Sequence, residues 1–177
     1  RYTGDNFEQI LSQPRAFWYG WGRYDKKKLP EKSINRLLKR AGEDIVTLVL
    51  YNIPDRDLLN YSRGGASSFE EYKEYVDSFA KGIDRKCIVV VEPDALPHLL
   101  SIEGEQYNLR SNCIKYAVET LVQTDATVYI DVGHPEWLTP NEISILLLQT
   151  YTDIAHGISV NVSNFVDTKT LSLIHIS

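Results

Sequence analysis

The chain has 177 residues, 43% of them hydrophobic, enough to bury the core of one domain of ordinary size. Its net charge is −5 and its pI about 5.4, which sets it apart from nucleic-acid binders, whose basic faces neutralise phosphates. No apolar run approaches the ~20 residues of a membrane span. The two cysteines, Cys87 and Cys113, fall in a predicted strand and a predicted helix and read as small buried hydrophobes. The sequence has no Met and opens on Arg1, so it reads as beginning inside a longer protein, with no signal-peptide pattern to interpret.

In chain order, strands and helices alternate. AFWYGWG (16–22) reads as a strand. KSINRLLKRAG (32–42) reads as a helix with Ile34, Leu37, Leu38 and Ala41 on one face and Gly42 as its stop. IVTLVLYNIP (45–54) is a nearly all-apolar strand. SSFEEYKEYVDSFAKG (67–82) is a helix opened by a Ser68/Glu71 capping box, with Phe69, Tyr72, Val76, Phe79 and Ala80 facing inward. KCIVVVEP (86–93) is a strand, and NCIKYAVETLVQT (112–124) is a helix with Ile114, Ala117, Val118 and Leu121 inward. ATVYIDVG (126–133) is a strand, TPNEISILLLQTY (139–151) a helix with Thr139 as N-cap and Pro140 at its first position, and GISVNVSNF (157–165) the last strand. Continuous apolar strands between amphipathic helices predict an α/β fold with a covered parallel sheet, either doubly wound or barrel-like. No G-x-G-x-x-G or P-loop accompanies it. GGAS (64–67) lacks the lysine and the spacing, which speaks against nucleotide binding.

In parallel α/β folds the chemistry lies beyond the C-terminal strand ends. Those ends carry Trp18, Tyr19 and Trp21; Tyr51, Asp55, Arg56 and Asp57; Glu92 and Asp94; Asp131, His134, Glu136 and Trp137; and Asn161, Ser163 and Asn164. The opposite rim carries ordinary turn residues. Carboxylates and indoles around one cleft suit carbohydrate: Trp stacks on sugar rings, Asp and Asn bind hydroxyls, and a carboxylate pair supplies acid and base. Taken singly, these residues have plainer readings, such as a loop salt bridge between Arg56 and Asp57 or turn chemistry at 131–134. Metal ligation by Asp131 and His134 is a further reading, weakened by the absence of any H-x-x-x-H pair among four histidines.

Four segments, LVLYNIPDRD (48–57), IVVVEPDALP (88–97), VYIDVGHPEWL (128–138) and ISVNVSNF (158–165), resemble in order and spacing the motifs of glycoside hydrolase family 6, the inverting cellulases, which include endoglucanases and cellobiohydrolases. The resemblance covers roughly residues 15–166. It implies a distorted parallel β/α (TIM-like) barrel that cleaves β-1,4-glucan with inversion and without a cofactor or metal. By motif, Asp94 is implied as the general acid, with a pKa raised by neighbouring carboxylates, and Asp57 as the second carboxylate. Tyr51 lies under the sugar at the cleavage subsite, and Arg56 and Asp131 support the acidic cluster. Ser62 holds the catalytic water, and Trp18, His134, Trp137, Asn161 and Asn164 bind sugar. Glu92 is expected to turn inward as a buried, hydrogen-bonded support.

The resemblance also implies a secreted monomer whose partner is a cellulose chain, with neither nucleic acid nor membrane. The short connection from Asp57 to Ser68 tilts the expectation towards endoglucanase. Two departures stand out. The family carries a cysteine directly after the second carboxylate, bridged to one beyond the acid; here the position is Leu58, and 101–110 holds no cysteine. Family members also continue through several more strands, so about the N-terminal five β/α units are expected here. Residues 1–170 then form a partial catalytic domain, itself inactive and poorly soluble. LSLIHIS (171–177) breaks the amphipathic pattern and reads as a non-native, adapter-derived tail. Glycosylation of the two N-x-S sites, Asn60 and Asn161, is not expected, since both fall in site segments. The alternative is a non-catalytic glucan-binding protein on the same fold, which would keep Trp18 and Trp137 and lose the acid.

Overall fold

The computed structural model describes residues 13–22, 28–58, 64–134, 136–163 and 165–167. Five strands, β1 (Ala16–Tyr19), β2 (Thr47–Leu50), β3 (Cys87–Val91), β4 (Ala126–Asp131) and β5 (Gly157–Ser159), alternate with four helices, α1 (Glu31–Ala41), α2 (Phe69–Lys81), α3 (Gly104–Leu121) and α4 (Pro140–Gln149). A short 3₁₀ helix, Pro97–Ser101, precedes α3. The strands form one parallel sheet in the order β1-β2-β3-β4-β5. That order decides between the two architectures left open by the sequence. A doubly wound sheet reverses direction at a switch point. Here every right-handed crossover steps the same way, which places all the helices on one side, as in a barrel wall. The barrel is partial: the five strands form an open sheet with β1 and β5 at its edges.

Side chains alternate across this wall as strand geometry requires. Leu48, Leu50, Val89, Val91, Val128 and Ile130 point to the helices and join the core with Ile34, Leu38, Tyr72, Val76, Phe79, Ile114 and Leu121. A second row runs across the register on the other face, from Trp18 through Val49, Val90 and Tyr129 to Gly157. Fully burying each large apolar side chain contributes about 1.5–3 kcal/mol, so the helix-facing layer dominates the stability. Cys87 and Cys113 are free and buried, as their sequence context suggested.

The helix starts follow local chemistry. Ser68 caps α2, its hydroxyl accepting from the Glu71 N–H at 3.2 Å, while the Glu71 carboxylate turns to the Ser67 N–H at 2.7 Å. Thr139 caps α4 through a full capping box with Glu142. Gly42 ends α1 at φ 59, a left-handed position that suits glycine.

The two largest departures from the sequence reading are at α3 and β5. Helix α3 starts at Gly104 rather than 112, because its first turns bury Arg110 where an apolar residue would have marked the stripe. Strand β5 pairs only over Gly157–Ser159, because the chain then turns at Asn161, with φ 59.

Candidate active site

The parallel sheet brings its strand ends to one rim, and the first connection at that rim is made by Glu92. Its side chain is 1% exposed. Oε1 accepts from the Asn52 N–H at 3.0 Å and from the Tyr72 hydroxyl at 2.9 Å, and Oε2 accepts from the N–H groups of Asn52 and Ile53, both at 3.1 Å. Asn52 in turn accepts from the Trp21 N–H through its side-chain oxygen at 2.8 Å, and its own carbonyl accepts from Ala66 N–H at 2.8 Å. One buried carboxyl therefore ties the exits of β1, β2 and β3 to the strand-to-helix loop before α2. Burial pushes its pKa up to about 7, against the opposing effect of these hydrogen bonds and of the Arg110 charge.

Glu92 and Asp94 both sit at positive φ, 44 and 66. Aspartate tolerates the left-handed region and glutamate does so less readily, at a cost of order 1–3 kcal/mol. The turn is closed by the Ala95 N–H, which donates to the Glu92 carbonyl at 3.0 Å. The result aims the two carboxyls apart: Glu92 goes into the core, and Asp94 lies half-buried at the rim.

Asp94 is held from two sides. Its N–H donates to Asp131 Oδ1 at 2.8 Å, and its carboxylate accepts from the Ser163 hydroxyl at 2.9 and 2.8 Å. Asp131 ends β4 at 1% exposure. Its Oδ1 also accepts from the Gly133 N–H at 3.0 Å, while Oδ2 is buried and has no partner among the described residues. Burial pushes the Asp131 pKa up to about 7, and the neighbouring Asp94 charge pushes the same way against the two N–H donors. Asp131 thus sits next to Asp94, with its carboxyl biased by burial towards the protonated form.

Tyr51, half-buried at the exit of β2, meets Trp18 edge-on at 5.4 Å between ring centres. The Arg56 guanidinium lies over its ring at 4.5 Å and donates to its carbonyl at 2.9 Å. Burial raises the Tyr51 pKa, Arg56 opposes it, and the charges of Asp94 and Asp57 add to the rise. Asp57 and Asp94 therefore each lie within electrostatic range of the phenol. Gly20 is required beside them, since a Cβ there would collide with the Tyr51 carbonyl. On the β4 side Trp137 is 45% exposed and packs beside His134 at 5.8 Å between rings. Its ring lies over Gly133, φ 76, where a Cβ would come within 2.8 Å of the indole.

The structure gathers Tyr51, Arg56, Asp57, Glu92, Asp94, Asp131, His134, Trp18 and Trp137 around the C-terminal ends of β1–β4. At Asn161, expected as a sugar ligand, the amide donates to the Val166 carbonyl at 2.8 Å and its oxygen accepts from the Val166 N–H at 3.0 Å, which closes its own loop. Ser62, Asn164 and Asn60 lie outside the described residues, as does 171–177. Asn52 and Arg110 join the network without having been singled out, and Ser163 joins it having been read only as a polar residue at the end of the last strand. Polar residues after a strand read as loop chemistry, and their partners lie 40, 55 and 69 residues away. Among the described residues no three of His, Cys, Asp and Glu gather as a metal site. No described helix is long and apolar enough to cross a membrane.

A sequentially ordered parallel wall with carboxylates and aromatic rings at its C-terminal rim is the architecture of a barrel-type glycosidase. The model of the glycosyl hydrolases family 6 matches residues 3–175, and the chain belongs to that family. It is 36% identical over 162 residues to endoglucanase A of Cellulomonas fimi, covering 91% of this chain and 35% of that protein. It is 33% identical over 149 residues to exoglucanase 3 of Agaricus bisporus, covering 71% of this chain and 34% of that one. The endoglucanase Cel6 from Mycobacterium tuberculosis, solved with methyl-cellobiosyl-4-deoxy-4-thio-β-D-cellobioside, superposes with a TM-score of 0.83 at 28% identity over 97% of this chain and 62% of that one. The chain thus spans about a third of the length of these two curated relatives.

Proposed function

We propose that the protein carrying this chain hydrolyses β-1,4-glucosidic bonds of cellulose-type glucans with inversion, and that Asp94 is the general acid. The observation that carries this reading is the placement of Asp94. It is turned out of the strand by a left-handed backbone and anchored through its N–H to Asp131, with its carboxylate at the rim that Tyr51 and Asp57 also line. In the proposed step Asp94 gives its proton to the leaving glycosidic oxygen as the C–O bond breaks, and water adds to the anomeric carbon from the opposite face. The proton of that water passes towards Asp57 through a water chain. Asp131 keeps the acid's backbone fixed. Trp18 and Trp137, 46% and 45% exposed, offer faces for sugar rings on either side of the carboxylates. Ser163 holds the Asp94 carboxylate until the glycosidic oxygen takes its place.

The finer reading is endo action. Relatives of both kinds match, and the tilt rests on the short connection between Asp57 and Ser68, which leaves little chain to roof the cleft. A secreted enzyme follows from an insoluble polymeric substrate. The test compares Asp94→Ala with wild type in the protein at the full length of its relatives. Turnover of soluble β-glucan is expected to fall about 10²–10⁴-fold. Cleavage of 2,4-dinitrophenyl β-cellobioside, whose leaving group needs no proton, is expected to fall far less. An equal loss on both substrates would remove Asp94 from the acid role.

A further inference from the structure

Arg110 lies on the inward stripe of α3, one turn before Cys113 and Ile114, and is 3% exposed. A buried cation is costly unless it is paired, yet among the described residues no carboxylate forms an ion pair with it. Instead Nη2 donates to the Asp55 carbonyl at 2.6 Å and reaches the Pro54 carbonyl at 3.5 Å, while Nη1 is buried without a partner. The two carbonyls belong to the turn that ends in Arg56 and Asp57, and Asp55 holds the left-handed conformation, φ 48. A second arginine, Arg56, ties the start of the same turn to itself through the Tyr51 carbonyl at 2.9 Å. Beside the turn, Leu58, Ile102, Leu109 and Arg110 line one small, half-open pocket, so the loop packs against the start of α3.

We propose that Arg110 is a positioning residue for Asp57: the guanidinium fixes the 54–55 carbonyls from inside the fold and so sets where the second carboxylate stands at the rim. The inference rests on the hydrolase reading above. Its substance is a fixed backbone path, because the hydrogen bonds of Arg110 go to the Pro54 and Asp55 carbonyls. A guanidinium suits the task, since it is more weakly hydrated than an ammonium and is more readily buried against backbone carbonyls.

The test measures kcat and KM on soluble β-glucan for Arg110→Met and Arg110→Lys, in the protein at the full length of its relatives. A destabilised control, Val118→Ala, alters a fully buried residue two turns further along α3. Arg110→Met is expected to lose about 100-fold in kcat, the cost of a misplaced catalytic group, with KM within about twofold. Arg110→Lys is expected to restore part of that loss. Val118→Ala is expected to keep wild-type kcat at a comparable fall in Tm. An active wild type with unchanged kcat in Arg110→Met overturns this inference alone, as does an equal kcat loss in Val118→Ala. An inactive wild type removes the hydrolase reading and this one with it. Failure of both Arg110 variants to fold also overturns it, because Arg110 would then serve the core rather than the loop.

Discussion

Two carboxyls at the same rim, Glu92 and Asp131, are each 1% exposed, and burial pushes each up to about 7, yet they are built in opposite ways. Both oxygens of Glu92 are occupied, by two backbone N–H groups and a tyrosine hydroxyl. Asp131 gathers both of its donors on Oδ1 and leaves Oδ2 bare among the described residues. A saturated carboxyl acts as a bracket: moving it leaves three donors stranded. A half-saturated one has a place for a proton beside Asp94, whose backbone it holds. The same burial therefore yields a structural part in β3 and a chemically available one in β4, and the number of donors makes the difference.

The largest expected effect breaks the bracket. Glu92→Ala leaves the Asn52 and Ile53 N–H groups and the Tyr72 hydroxyl without their acceptor. At about 1–3 kcal/mol for each stranded group, a loss of about 3–9 kcal/mol is expected. Urea denaturation of the protein at the full length of its relatives measures it, and a loss below about 1 kcal/mol would mean that the network rearranges freely.

Next is the pH dependence that separates the two. Both groups are raised, so between about pH 4 and about pH 7 the folded state holds protons that the unfolded state has released. Their contribution is fully present below about pH 4 and is lost as pH rises to about 7, at up to about 1.4 kcal/mol per unit for each group. Asp131→Asn keeps an oxygen for the Asp94 and Gly133 N–H groups and removes the titration. It is expected to flatten the fall in stability between pH 4 and 7, and a slope equal to wild type would contradict the assignment.

Smaller still is Ser163→Ala, which removes one hydroxyl donor to Asp94 and is expected to lower kcat about fivefold, with KM unchanged, for a hydrogen bond of about 1 kcal/mol. Smallest in consequence is Thr139→Ala at the start of α4: it is expected to cost about 1 kcal/mol of stability and no activity, since the cap lies outside the carboxylate network.

The sheet, its helices and the rim were legible because their signals are local. Leu48, Leu50, Val89 and Val91 declare buried strands, and Ile114, Ala117, Val118 and Leu121 declare a helix face. The beginning of α3 was hidden for a physical reason: a helix stripe is recognised by apolar residues, and the inward residue of its early turns is Arg110. The inward turn of Glu92 was expected at the E-P-D that follows β3, whereas its partners were not legible. Asn52 takes part through its backbone N–H, which no side-chain pattern reveals. The Asn161–Val166 pairing, made at a turn with φ 59, was also invisible in the sequence, where the family resemblance implied only a sugar ligand. The choice between a doubly wound sheet and a barrel wall likewise depended on strand order, a property of the whole chain that no single segment carries.

The central claim is that the rim carboxylates act on opposite faces of a glucosidic bond. The most direct measurement is proton NMR of the reducing end released from a cello-oligosaccharide, recorded before mutarotation, in the protein at the full length of its relatives. The account predicts that the α-anomer appears first. First appearance of the β-anomer would contradict it, since that outcome requires a covalent intermediate on one of these carboxylates.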